Sequence, residues 1–172
     1  MFKSKRGQIW VETVIYSLIA FVMIGLVLTF ANPKLQEIQD RAIIEQSINV
    51  MENLDILISN IGSPGNRRSI ELNIQKGLLK IDGVNDLLLF EMESSATYSE
   101  IGAEINHGEI IITTQSEGSE EIVTLMRDYS SQYNITYEGK DELKELSKSP
   151  TPYKLLISNK GGNKIVIDIE VN

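Results

Sequence analysis

Residues 3–33 read KSKRGQIWVETVIYSLIAFVMIGLVLTFANP, and the fold turns on how this stretch is understood. Three cations, Lys3, Lys5 and Arg6, stand before Glu12, and no charge follows that carboxylate until Lys34. The run 9–31 is long enough to cross a bilayer core, which takes ~20 apolar residues in helical form. A basic flank on an apolar segment favours the cytoplasmic side, so the remainder would face outward. Read as a secretory signal peptide, the same stretch would end at a small-residue cleavage site, Thr29-Phe30-Ala31. Neither reading explains Glu12. A carboxylate near the start of a lipid-embedded helix costs ~2–3 kcal/mol unless it snorkels to the interface or finds a partner.

The composition of the rest of the chain narrows the classes. The 172 residues leave room for one domain plus an appendage. Of the acidic residues behind the net charge of -8, all but Glu12 lie beyond Asn32. So acidic an ectodomain argues against nucleic acid as a partner, because that affinity rests on cations neutralising phosphates. With no cysteine, the chain has no disulfides, thiolate metal sites or cysteine nucleophiles.

The stretch Lys5-Arg6-Gly7-Gln8-Ile9-Trp10-Val11-Glu12-Thr13 resembles the class III signal peptide of archaeal type IV pilins and archaellins. Basic pair, Gly, Gln, Glu and apolar run coincide over roughly residues 3–31. The resemblance implies a leader, residues 1–7, removed between Gly7 and Gln8 by a prepilin-peptidase-like enzyme on the cytoplasmic side. Lys5, Arg6, Gly7 and Gln8 would then be the processing site. Glu12 would become the fifth residue of the mature chain, the place where type IV pilins carry a Glu. Cleavage would leave an α-amino group at Gln8, one helical turn from Glu12. In a low dielectric such charges attract strongly, within one chain or between neighbours. Gln8 and Glu12 are therefore the expected assembly residues.

The helix is expected to outrun the membrane. Leu35, Ile38, Ala42, Ile44, Ile48, Met51, Leu54, Leu57 and Ile61 recur mostly three or four apart, with polar residues between them, as on an amphipathic helix. Residues 8–61 would form one long element bent at Pro33, whose ring meets the Thr29 carbonyl. The sequence Gly62-Ser63-Pro64-Gly65-Asn66 ends it. Beyond, Ile70, Leu72 and Ile74 alternate with polar residues as in a half-buried strand. Further strands are predicted at 77–81, 86–92, 103–105, 109–114, 122–126 and 134–137, with a short helix at 139–147 placing Leu143 and Leu146 inward. A hairpin, 153–158 and 164–171 about Gly161-Gly162, closes the chain. The predicted class is α+β: a long N-terminal helix, then a mainly antiparallel β head, residues 62–172, as a sandwich or barrel.

The head offers little chemistry. His107 precedes Gly108 in a predicted turn, the sequence 62–69 lacks the ending of a phosphate loop, and Glu91 with Glu93 does not specify a catalytic pair. Asp82, Asn85 and Asp86 with Glu91 or Glu93 do not match a calcium-loop spacing and read as a solvated turn. No catalytic residue, metal or cofactor is expected. Asn134-Ile135-Thr136 is a glycosylation sequon. The resemblance implies a structural subunit held in the membrane by residues 9–31, then extracted by assembly machinery into a self-polymerised extracellular filament. The alternative is an uncleaved, signal-anchored extracytoplasmic binding domain.

Overall fold

The structure, a computed structural model, describes residues 5–118 and 120–171, and of residues 5–8 the backbone alone. Its first element, α1 (Lys5–Ser59), is one helix of 55 residues, about 80 Å long at 1.5 Å per residue. It passes unbroken through Pro33. Ten strands follow: β1 (Arg67–Leu72), β2 (Leu78–Asp82), β3 (Leu87–Ser94), β4 (Glu104–His107), β5 (Ile110–Glu117), β6 (Glu120–Asp128), β7 (Tyr133–Tyr137), β8 (Leu143–Ser147), β9 (Tyr153–Gly161) and β10 (Ile165–Val171).

They form two sheets, ordered β1-β9-β10-β7 and β4-β5-β6-β3-β2-β8. The expected α+β class, a long helix with a mainly antiparallel sandwich-like head, is what the chain builds. Every strand pair is antiparallel except β7 with β10, which run parallel from Ile165 opposite Tyr133 to Ile169 opposite Tyr137. The larger sheet buries one face through cross-strand partners: Leu146 opposite Leu79, Leu79 opposite Phe90, Phe90 opposite Leu125, and Leu125 opposite Ile112. Alternation puts these on one side, so a single apolar ladder spans five strands. The smaller sheet adds Leu72, Ile135, Ile157, Ile167 and Ile169 to the same core.

The upper half of α1 belongs to that core. Ile44, Ile48, Met51, Leu54 and Ile58 are buried, as is Ile61 just past the helix end, and the helix packs against β3, β5 and β6. The stripe differs from the sequence expectation at its lower end: Leu35, Ile38 and Ala42 are exposed, and Ile58 is fully buried where Leu57 is only partly so. The head begins near Asp40, so Leu35 and Ile38 have nothing to pack against, and Ala42 lies off the buried face.

The predicted helix at 139–147 is corrected to the strand β8. Its charges and leucines favour a helix locally, but β2 would otherwise be left with a bare edge. Pairing Leu78 with Ser147 through Asp82 with Leu143 satisfies that edge, burying Leu146 and leaving Leu143 exposed. Just before β2, Gly77 holds φ +92°, and a Cβ there would lie 2.6 Å from the Glu91 carbonyl oxygen. Gly77→Ala is expected to cost about 2–5 kcal/mol from backbone strain plus overpacking, read as a lower urea midpoint.

Candidate functional site

The largest unpartnered surface is the lower half of α1. Every residue from 9 to 36 is exposed, with Trp10 at 70% and Phe30 at 77%, so the head covers none of this surface. Hydroxyls along it are satisfied by the helix itself: Thr13 Oγ1 donates to the Ile9 carbonyl (3.0 Å), Ser17 Oγ to Thr13 (2.8 Å) and Thr29 Oγ1 to Gly25 (2.9 Å). Such back-bonding lets Ser and Thr sit in a medium that offers no water. α1 is long and apolar enough to cross a membrane. Glu12 is exposed on this surface and has no ion-pair partner among the described residues. The side chains of Lys5, Arg6 and Gln8 lie outside the described residues, as do the first four residues of the expected leader; Gly7 and Gln8 are helical in backbone.

Besides an exposed hydrogen bond from Gln75 Nε2 to Gln46 Oε1 (3.1 Å), three polar contacts join the upper half of α1 to the head. At its foot Asp40, 7% exposed, accepts from Lys76 Nζ at Oδ1 (2.7 Å) and from Ser95 N (2.8 Å) and Ser95 Oγ (2.9 Å) at Oδ2. Burial alone would raise this carboxyl, but the bonds from Lys76 and Ser95 outweigh it and hold the carboxyl below its ordinary value. A depressed folded-state value contributes stability at pH above the unfolded carboxylate range, about 4, and loses it as pH falls through the folded value. Asp40→Asn is therefore expected to flatten the fall in urea midpoint on acidification from pH 5 toward ~pH 3; an unaltered slope would contradict the assignment.

Higher up, Arg127 of β6 sits opposite Leu88 in the core face, where alternation calls for an apolar side chain. Its Nε donates to Asp55 Oδ1 (2.7 Å), its Nη1 to the Asp128 carbonyl (2.7 Å), and its guanidinium lies 4.6 Å from the Tyr129 ring centroid. Burial opposes the arginine's charge, and Asp55 more than restores it. Tyr129, fully buried, donates its hydroxyl to Asp55 Oδ1 (3.1 Å); burial first, then the carboxylate, push its ionisation up. The third contact is exposed: His107 Nε2 lies 3.2 Å from Glu52 Oε1. His107 thus ends β4 at a turn and faces the helix.

The oxygen-rich turn is occupied by its own chain. Asp82 accepts from Val84 N, Asn85 N and Asn85 Nδ2, while Asp86 accepts from Ile135 N (2.8 Å) and Lys164 Nζ (2.6 Å). Glu91 pairs with Lys80 at 2.6 Å. Among the described residues no three His, Asp or Glu side chains are placed to share a metal. Asn134, on the edge strand β7, lies 3.3 Å from Asp141 Oδ1, and its sequon partner Thr136 is buried with its hydroxyl donating to Asp168 Oδ1 (2.8 Å).

The sequence reading missed Asp40 and Arg127. Asp40 had a signal: it lies four residues before Ile44, in phase with the buried stripe. Arg127 had none, since an arginine ending an alternating strand reads as solvated. Compared with protein-family models, curated proteins and solved structures, the chain finds no match. An apolar N-terminal helix carrying a β-sandwich head is compatible with a pilin-like or a signal-anchored protein.

Proposed function

We propose that the chain is a structural subunit of a type IV pilus-like surface filament. It is cleaved between Gly7 and Gln8 by a prepilin-peptidase-like enzyme, stored in the membrane by residues 9–31, and assembled with copies of itself by dedicated machinery. One observation carries the reading: α1 is uncovered over residues 9–36 and rigidly built into the head from Asp40 onward. An extended apolar surface of that size requires an apolar environment. Lipid supplies it before assembly, and bundled helices of neighbouring subunits supply it afterward. Residues 5–13 support the processing step, and the three contacts to the head suit an arm that must transmit force without detaching.

The alternative, an uncleaved signal-anchored ectodomain, uses the same helix as a tether and leaves Glu12 without a role. Mass spectrometry of the N-terminal peptide, from protein isolated from the cells that make it, separates them. A start at Gln8, free or cyclised, is expected. A start at Met1 would leave a tethered ectodomain, and one at Asn32 a secreted protein.

A further inference from the structure

The head has two electrically different poles. At the upper one, Asn159 Nδ2 donates to the Gly62 carbonyl (2.6 Å) and Asn66 Nδ2 to Ile61 (3.0 Å), which fixes the start of β1 beside the end of the helix. There Arg67 and Arg68 are exposed and unpaired among the described residues. The lysines of this end are engaged: Lys160 with Asp168 (3.3 Å) and Glu170 (3.6 Å), Lys164 with Asp86. At the lower pole, a cavity of about 440 Å³ lined by Gln36, Asp40, Glu93, Glu120 and Lys148 places the β5–β6 hairpin tip beside the foot of the helix. Lys76 is tied up by Asp40 there, leaving Lys148 against Glu93, Glu117 and Glu120. The head packs on α1 from Asp40 to its end at Ser59, so the poles stand about 30 Å apart along the helix.

The acidic tip is unfavourable on its own. Glu117 and Glu120 are direct cross-strand partners, and like charges so placed destabilise a hairpin. Both are exposed, so a cation from outside the chain can relieve the repulsion.

We infer that the head makes a head-to-tail contact with a second copy of this chain, in which Arg67 and Arg68 of one copy receive the Glu117/Glu120 tip of the next. The inference rests on the filament reading and deepens it. A contact between two different patches of one surface is heterologous, and unless its rotation closes it propagates without end. The arginine fork suits carboxylate acceptors, and juxtaposed like charges repel, so register between heads follows from these two patches.

The test expresses the full chain in its own cells and compares sheared filament yield with the folded membrane pool, gauged by protease resistance of the head. Arg67→Glu with Arg68→Glu, and separately Glu117→Lys with Glu120→Lys, are each expected to cut yield ~10-fold or more, and all four together to restore it to within ~3-fold of wild type. If a reversal makes the head protease-sensitive, the neutral variants Arg67→Gln/Arg68→Gln and Glu117→Gln/Glu120→Gln replace it, with a loss of ~3-fold or more expected from each. Wild-type yield from both single-pole variants, or a four-fold variant as poor as either, overturns the contact and leaves the filament reading standing. No polymer from the wild-type chain overturns that reading itself, and the contact with it.

Discussion

Truncating Arg127 to Ala is expected to lower the stability of the head by about 3–5 kcal/mol, because it leaves the half-buried Asp55 carboxylate without its cation and removes a buried side chain. The loss has four parts. The ion pair to Asp55 at 2.7 Å disappears, the Asp128 carbonyl loses its donor, and the Tyr129 ring loses the cation stacked on it. Deleting the side chain also opens a void beside Leu88, its cross-strand partner. Urea unfolding of the detergent-solubilised chain, followed by far-UV circular dichroism, reads the change. A drop below ~1 kcal/mol would mean that Arg127 is hydrated like a surface cation. The pair itself is separable from its burial: Asp55→Asn with Arg127→Met removes both charges yet keeps an acceptor for the Tyr129 hydroxyl. That double variant is expected to recover most of the loss, since well-packed apolar substitutes often match a buried ion pair.

The helix, the head and most strand positions were legible in the sequence because each rests on local periodicity: three-to-four spacing through Ile44, Ile48 and Met51, alternation through Ile70 and Leu72, paired glycines between β9 and β10. What periodicity does not encode is partnership. Residues 139–147 carry helix-forming side chains, and they became a strand because β2 has an edge to pair, a fact held by residues some 65 positions earlier. The parallel pairing of β7 with β10 is equally non-local. Arg127 reads as a solvated strand end until the helix brings Asp55 over it. Glu12 is instead visible as a carboxylate in an apolar run, and Asp40 only by its phase with the buried stripe. The fold answers one of them, by giving Asp40 the cation Lys76 and the donors of Ser95. Glu12 receives no such answer from the described residues, so its partner is to be sought elsewhere.

Replacing Glu12 with Ala is therefore expected to separate storage from assembly. In the membrane the carboxylate is a cost of up to ~3 kcal/mol away from the interface, so E12A should insert at least as well as the wild type. On the filament reading, the same carboxylate would gain, in a bundle of helices, the α-amino group that cleavage would leave at Gln8, on its own or a neighbouring chain. Such an opposite-charge contact in low dielectric would favour extraction and one axial register. Filament yield from E12A is expected to fall ~10-fold or more while the processed membrane pool holds or rises. Glu12→Gln sharpens the test by keeping the length and an acceptor while removing the charge. Yield as low as in E12A would assign the effect to the ion pair, and intermediate yield to hydrogen bonding. Undiminished filaments from both variants would make Glu12 a tolerated interfacial charge and return the anchored ectodomain as the better reading of the chain.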